Sequence, residues 1–419
     1  MSLQIREEAR LDIEAAARSF NPTEPLDSPS RRQQNWPWWP LLPLYPYGNR
    51  CTIRRALIPG HVWSFEQLQG IFHVVVPIRM VVVSVPGGLL AYAPVAPTRT
   101  CLALMRELEA IHGPLLAIVL PSSSGLEHKL PVPAFARAFP GAAVWVTPKQ
   151  WSFPLNLPLR TLGFPAGRTR VLFEQGLPFP TVLDWQRLGP IDIELGWFCE
   201  ASCFHRPSGS LLVTDGLIAL DDVLPELLNA DPTAVLFHAR ESGREPLRDT
   251  PERRRRGWQR LLLLSLYLRP DCLELPPLSS CLGDALAPGL RNRRSYFGLY
   301  PFRWRDDWQD CVHRVVRGGT PQVAPILERL VFPRRRAAMA HWLAALADLP
   351  ATQLVPCHFR APVPLAKDSL RQVLENWCRG PRQDDASISG FLQRLDRTLV
   401  AAGLVSGEED VLLGGRVVD

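Results

Sequence analysis

The chain has 419 residues, 46% of them apolar or aromatic and 21% charged, with 47 basic against 41 acidic side chains and a formal charge of +6. That length supports one large layered core or two ordinary domains, with no need for disulfide or metal staples. No run approaches the ~20 apolar residues that cross a bilayer; the best, residues 261–268, is too short and flanked by Arg260 and Arg269, so no membrane span is expected.

The basic excess is almost all arginine, since Lys129, Lys149 and Lys367 are the only lysines. Arginine clusters at 253–256, 291–294 and 334–336 lack the glycine and aromatic pattern of an RNA-binding strand, which argues against a nucleic-acid partner. Nine cysteines without a close C-x-x-C pair fit reduced thiols better than a disulfide framework. The first twenty residues carry Glu7, Glu8, Asp12 and Glu14 and no apolar core, unlike a secretory or transit signal. A cytoplasmic location is expected.

Residues 1–20 have the spacing of a short amphipathic helix. The Pro-rich stretch that follows, to residue 49, holds Trp36, Trp38, Trp39, Tyr45 and Tyr47, which should pack across the main body. Residues 72–85 read as a strand, Pro86-Gly87-Gly88 as a turn and 89–94 as the returning strand. Pro97 and Thr98 open a helix with Leu102, Met105, Leu108 and Ile111 on its apolar face, stopped by Gly113. A strand at 115–120, the loop SSSGLEHK, a short helix near Phe135 and a strand at 142–146 come next. The Pro-rich stretch 149–167 suits a lid or cleft wall. Strands resume near Val171 and at 191–195, 199–205 and 211–214, with Pro207-Ser208-Gly209 as a tight turn. Beyond Asp215 helices are expected over 251–269, 321–332, 334–348, 368–379 and 386–403, and one strand at 353–355.

Chemistry concentrates at LPSSSGLEHK (120–129), LLVTDG (211–216) and LVPCHF (354–359), each an apolar run followed by a carboxylate or imidazole. They offer Glu127, His128, Asp215 and His358, a ligand set suited to a borderline divalent ion such as Zn, Fe or Mn. Singly, each residue also reads as a loop histidine, a turn cap or a core histidine. His238 and Arg240 in LFHARESG form a second candidate, for a carboxylate or phosphate of substrate. Ser122, Ser123 and Ser124 lack a G-x-S-x-G elbow, which argues against serine hydrolysis.

These motifs resemble the metallo-β-lactamase-like superfamily, whose first motif H-x-H-x-D-H falls here on Ser123, Gly125, Glu127 and His128. Its bridging aspartate corresponds to Asp215 and its last histidine to His358. Its intervening histidine has no counterpart, Glu200 being the nearest candidate. WSFEQLQGIFHVVVPIRM, APVAPTRTCL, QWSFPLNLPL, LFHARESG and VPCHFRAPV further resemble an uncharacterised domain family of cyanobacteria and chloroplasts, across about residues 36–365. The resemblance implies an α/β fold, a four-layer αββα sandwich over 50–365, with a Pro-rich N-terminal arm (1–49) and a helical C-terminal extension (366–419). It implies a mononuclear metal-dependent hydrolase with a degenerate first metal position. Glu127, His128, Asp215 and His358 would hold the ion, with Glu127 or Asp215 catalytic. The alternative is a non-catalytic descendant that binds a metabolite or a protein.

Overall fold

The computed structural model describes residues 45–46, 50–71, 73–151, 156–286, 292, 295–380 and 387–409. Strands Ile53–Ile58 (β1), Val62–Ile71 (β2), Val74–Val85 (β3), Gly88–Tyr92 (β4), Leu115–Leu120 (β5), Ala143–Val146 (β6) and Thr169–Val171 (β7) build one sheet in chain order. Pairing is antiparallel from β1 to β4 and parallel from β4 to β7. The crossover from β4 to β5 is the helix Arg99–His112, whose start is capped by Thr98 Oγ1 accepting from the Cys101 N–H at 3.1 Å.

The later strands are Leu183–Asp192 (β8), Trp197–His205 (β9), Ser210–Val213 (β10), Leu217–Ile218 (β11), Leu273–Glu274 (β12), Arg303–Trp304 (β13), Gln322–Val323 (β14), Gln353–Pro356 (β15) and Val363–Pro364 (β16). A second sheet runs β16-β15-β10-β9-β8, while β11 pairs with β14 and β12 with β13.

Alternation along the strands sorts the core into layers. In β3, Val81 and Val83 point to the second sheet and meet Ala201, Cys203, Leu212 and Val355. The intervening Met80 and Val82 point outward onto Leu104, Met105 and Leu108 of the first helix and Phe135 of the helix Val132–Ala138. The outer face of the second sheet, with Leu211, Val213 and Leu354, packs on Met339, Trp342 and Leu343 of the helix Arg336–Ala347. Leu370, Val373 and Trp377 of the helix Ser369–Arg379 join that cluster. The order is helix, sheet, sheet, helix, the αββα sandwich that the resemblance implied. Strands buried on both faces read as unbroken apolar runs, which is why β3 was legible.

A further body of helices closes on the β2–β3 hairpin tip. Leu261, Leu262 and Leu264 of the helix Pro251–Tyr267 cluster there with Leu68 and Val75 and with Val312 and Val315 of the helix Trp308–Val316. Tyr45 is buried against the same tip, its backbone N–H donating to Gly70 and its hydroxyl to Asp231. Of the expected packing of the N-terminal aromatics only Tyr45 can be described; residues 1–20, Trp36, Trp38, Trp39 and Tyr47 lie outside the described residues.

Several expected elements shift. Strands β1 and β2 were not expected, because Arg54, Arg55, Ser64, Glu66 and Gln67 interrupt their apolar pattern; these polar groups pair with one another, with backbone or, for Arg55, with Glu226. The strand expected at 191–195 is the end of a longer β8, and the chain turns at 193–196, where the Ile193 N–H donates to Gly196. The helix expected over 321–332 starts only at Pro325, a residue that suits a first helical position but not an interior one; Gln322 and Val323 pair with β11 instead. The SSSGLEHK stretch contains a single helical turn, Leu126–Lys129. Helix Ser369–Arg379, expected in an extension, is part of the outer layer.

Candidate metal centre

Sheet register brings the three motifs together. Val213 of β10 pairs in parallel with Pro356 of β15, so Asp215 and His358, each two residues further on, leave the sheet side by side. Glu200 of β9 completes that edge: its carboxylate accepts the backbone N–H groups of Thr214 (2.6 Å), Asp215 (3.2 Å) and Gly216 (2.7 Å). The end of β5 reaches across from the other sheet through the bridge Ser122↔Glu200 and the bond from the Ala201 N–H to the Pro121 carbonyl at 2.7 Å. That bridge carries the 122–129 segment over the mouth of the sandwich.

His358 Nε2 lies 3.5 Å from Glu127 Oε1 and 3.4 Å from Asp215 Oδ1. The imidazoles of His128 and His358 stand edge to face with centroids 5.7 Å apart. One ligand atom each from Glu127, His128 and His358 falls within 4.8 Å of the others; Asp215 joins through its contact with His358. The far Asp215 oxygen, Oδ2, accepts from Ser122 Oγ at 2.7 Å and Ser124 Oγ at 2.9 Å.

His128 Nδ1 lies 3.2 Å from the Pro94 carbonyl, an acceptor, so Nδ1 carries the hydrogen and Nε2 is left with its lone pair. Nε2 is buried with no hydrogen-bond partner among the described residues. A buried acceptor without a donor costs about 1–3 kcal/mol. A cation beside Glu127 and His358 would satisfy it, and a ligating histidine whose other nitrogen donates to a carbonyl is the usual support in metal sites. The residues present therefore fit one divalent ion.

The charges are mutually tuned. Burial would raise both Asp215 and Glu127, but the imidazolium of His358 between them outweighs it and holds both below the ordinary carboxylate range, Asp215 at about 2. His358 is pushed up to about 10, its desolvation overcome by the same two carboxylates. His128 moves down, chiefly by burial. Burial and then the Asp215 charge push Glu200 up to about 7, despite its three backbone donors.

Gly125 makes room for this arrangement. It has φ of +54°, and a Cβ there would stand 2.8 Å from Glu127 Oε1 and 3.2 Å from its Cδ. The glutamate carboxylate folds back into space that any side chain at 125 would fill. Glycine at 125 thus leaves the room that the Glu127 carboxylate takes.

Several residues of this centre escaped the sequence reading. Lys129 is buried, its Nζ donating to the carbonyls of Ser123 (2.6 Å) and Gln150 (2.5 Å), and burial lowers it to about 8. A lysine beside the motif in a chain with only three of them was a usable signal. Arg79, a charge inside an apolar strand, was another. Its Nε donates to Glu66 at 3.1 Å, and its two terminal nitrogens to the carbonyls of Pro356 (2.5 Å) and Phe359 (2.8 Å), bracketing His358.

Other candidates are placed elsewhere. His238 is fully buried, its Nε2 donating to the His73 carbonyl at 3.1 Å, with Phe237 and Phe302 against its ring. Arg240 is equally buried, stacked on Phe237 and Tyr300 and directed at the carbonyls of Phe237 and Gly243. These contacts enclose both side chains in the packing of the helical body, so neither is presented to a substrate. Glu200, considered as a replacement ligand, has both oxygens occupied by the 214–216 backbone. Ser123 Oγ is likewise occupied, donating to the Trp197 carbonyl at 3.0 Å and accepting from the Cys199 N–H at 2.8 Å. Among the described residues no helix is long and apolar enough to cross a membrane, and all nine cysteines are free.

Among known structures the chain is similar to a metal-soaked Flv1 flavodiiron core from Synechocystis sp. PCC6803, at 10% identity and a TM-score of 0.37. That match covers 78% of this chain, which spans only 61% of the flavodiiron core. It is also similar to a metallo-β-lactamase from Pontibacter korlensis, at 12% identity and a TM-score of 0.33, over 76% of this chain and 97% of that one. No curated protein matches. Residues 59–376, from the β1–β2 turn into the helix Ser369–Arg379, match the family described as Domain of unknown function (DUF4336), and the chain belongs to that family.

Proposed function

We propose that the protein is a mononuclear metal-dependent hydrolase in which Glu127, His128, Asp215 and His358 hold one divalent ion. The observation that carries this reading is the lone pair of His128 Nε2, buried and unpartnered beside a carboxylate and a second imidazole. An ion bound by three or four protein ligands with an open position supplies a Lewis acid and lowers the pKa of water toward ~7. The chain's own residues do the rest. Pro94 fixes the His128 tautomer. Ser122 and Ser124 fix the Asp215 rotamer. Glu127, only about a fifth exposed, is the group able to accept a proton at the mouth of the site when it is not ligating.

A second reading has its own support. Ser123 and Gly125 stand where the superfamily motif has imidazoles, and the hydrogen bonds of Ser123 are already complete. That favours a descendant that binds a metabolite or a protein without chemistry. Elemental analysis of protein purified without a metal-capturing tag separates the two. Stoichiometric Zn, Fe or Mn that is lost in both His128→Ala and His358→Ala supports the hydrolase. Metal-free protein that does not take up any of these ions on addition leaves the binding reading.

A further inference from the structure

A cavity of about 380 Å³ lies against the back of the turn that carries His358. Phe359, Arg360 and Ala361, the residues directly after His358, form one wall, and Arg79 lines the same space. It goes beyond the reading above, because none of Glu127, His128 and His358 lines it.

Three guanidinium groups border the cavity, and they differ in how far they are spoken for. Arg79 is buried and saturated by Glu66 and two carbonyls. Arg55 is bonded to Glu226. Arg360 is held more loosely, in an ion pair with Asp221 at 3.8 Å, too far for a hydrogen bond, and among the described residues its side chain makes one long bond, 3.4 Å, to the Gly319 carbonyl. A guanidinium offers five donors in a planar fork that matches a carboxylate or phosphate oxyanion. About a third of the Arg360 side chain is exposed, so those donors are reachable. Beside it stands the half-buried ring of Phe359, backed by buried Trp258 with ring centroids 6.5 Å apart, and Leu224 adds aliphatic surface. A charged fork next to an aromatic wall selects small organic anions over inorganic ones.

The geometry points to this cavity as a binding site for a small organic oxyanion, a phosphate monoester or a carboxylate, with Arg360 gripping the anionic group and Phe359 and Leu224 packing on the organic body. Phenyl phosphate, benzoate and inorganic phosphate, titrated calorimetrically into the full chain at low ionic strength, test it. Saturable one-site binding of phenyl phosphate or benzoate is expected, and the tighter of the two names the class. Arg360→Gln should weaken it at least about tenfold, as loss of a charged hydrogen-bonding partner does. Arg206→Gln, which removes an exposed arginine paired with Asp184 on the rim of β8, should leave it unchanged. Glu127→Gln should also leave it unchanged, which keeps this result separate from the fate of the metal centre. Equal binding by wild type and a folded Arg360→Gln variant overturns the inference, as does absence of saturation by either organic probe. Inorganic phosphate binding as tightly as phenyl phosphate overturns the part assigned to the aromatic wall.

Discussion

Gly125→Ala separates the stability of the 122–129 turn from its use. The substitution places a methyl group at φ of +54°, in the left-handed region, and 2.8 Å from Glu127 Oε1. The backbone part costs about 1–2 kcal/mol. The steric part falls on the far end of a flexible side chain, so the carboxylate moves and the backbone does not. What is lost is the position of Glu127, 3.5 Å from His358 Nε2. Gly60→Ala is the matched control, because Gly60 sits at φ of +75° with nothing within 4 Å of its Cβ position. It pays the backbone penalty alone. Both variants should lose similar stability in urea unfolding, and only Gly125→Ala should lose affinity for Zn or Mn in competition with a chromophoric chelator. A tenfold loss corresponds to about 1.4 kcal/mol of ligand displacement. Metal affinity of Gly125→Ala indistinguishable from Gly60→Ala would refute the role given to Glu127.

Arg79→Met leaves Glu66 buried without its partner and frees the carbonyls flanking His358; a loss of about 3–5 kcal/mol in urea unfolding is expected, with less loss in the double variant Arg79→Met/Glu66→Leu. Glu200→Gln presents an amide NH₂ to a nest of three N–H donors and should cost about 1–3 kcal/mol by the same measurement. Two buried histidines should each lose stabilising effect in acid, before the carboxylates of the unfolded chain titrate. Burial lowers His205 to about 4 and His238 to about 3, so both are neutral in the folded state while the unfolded histidines take up protons below pH ~6.5. Their contribution is therefore intact above pH ~6.5 and falls away as the pH drops toward 4, by on the order of 2 kcal/mol per group. Thermal melts of His205→Gln between pH 7 and ~4.5 should show a flatter pH dependence than wild type; an unchanged slope would count against a buried neutral His205.

How far the molecule is legible from its residues depends on where each pattern gets its force. The strands β3, β5 and β10 announce themselves because burial on both faces demands unbroken apolar runs, and the helix Arg99–His112 because a capping threonine, a 3.6-residue apolar period and a terminal glycine agree. Strands β1 and β2 were hidden because buried Arg54, Glu66 and Gln67 find distant partners, on Glu107, Arg79 and Thr52, that no local pattern announces.

The same division runs through the centre. Local sequence alone placed Asp215 and His358 just beyond buried strands, and Glu127 and His128 in the segment after another, since each apolar run reads as a strand. Their meeting was decided by tertiary structure: the β10–β15 register sets Asp215 beside His358, and the Ser122↔Glu200 bridge swings Glu127 and His128 over them. His238 and Arg240 looked no different in sequence, yet packing enclosed them. Chemical type is a property of one residue, whereas proximity and exposure arise from long-range pairing, and a pattern of neighbours along the chain carries no measure of either.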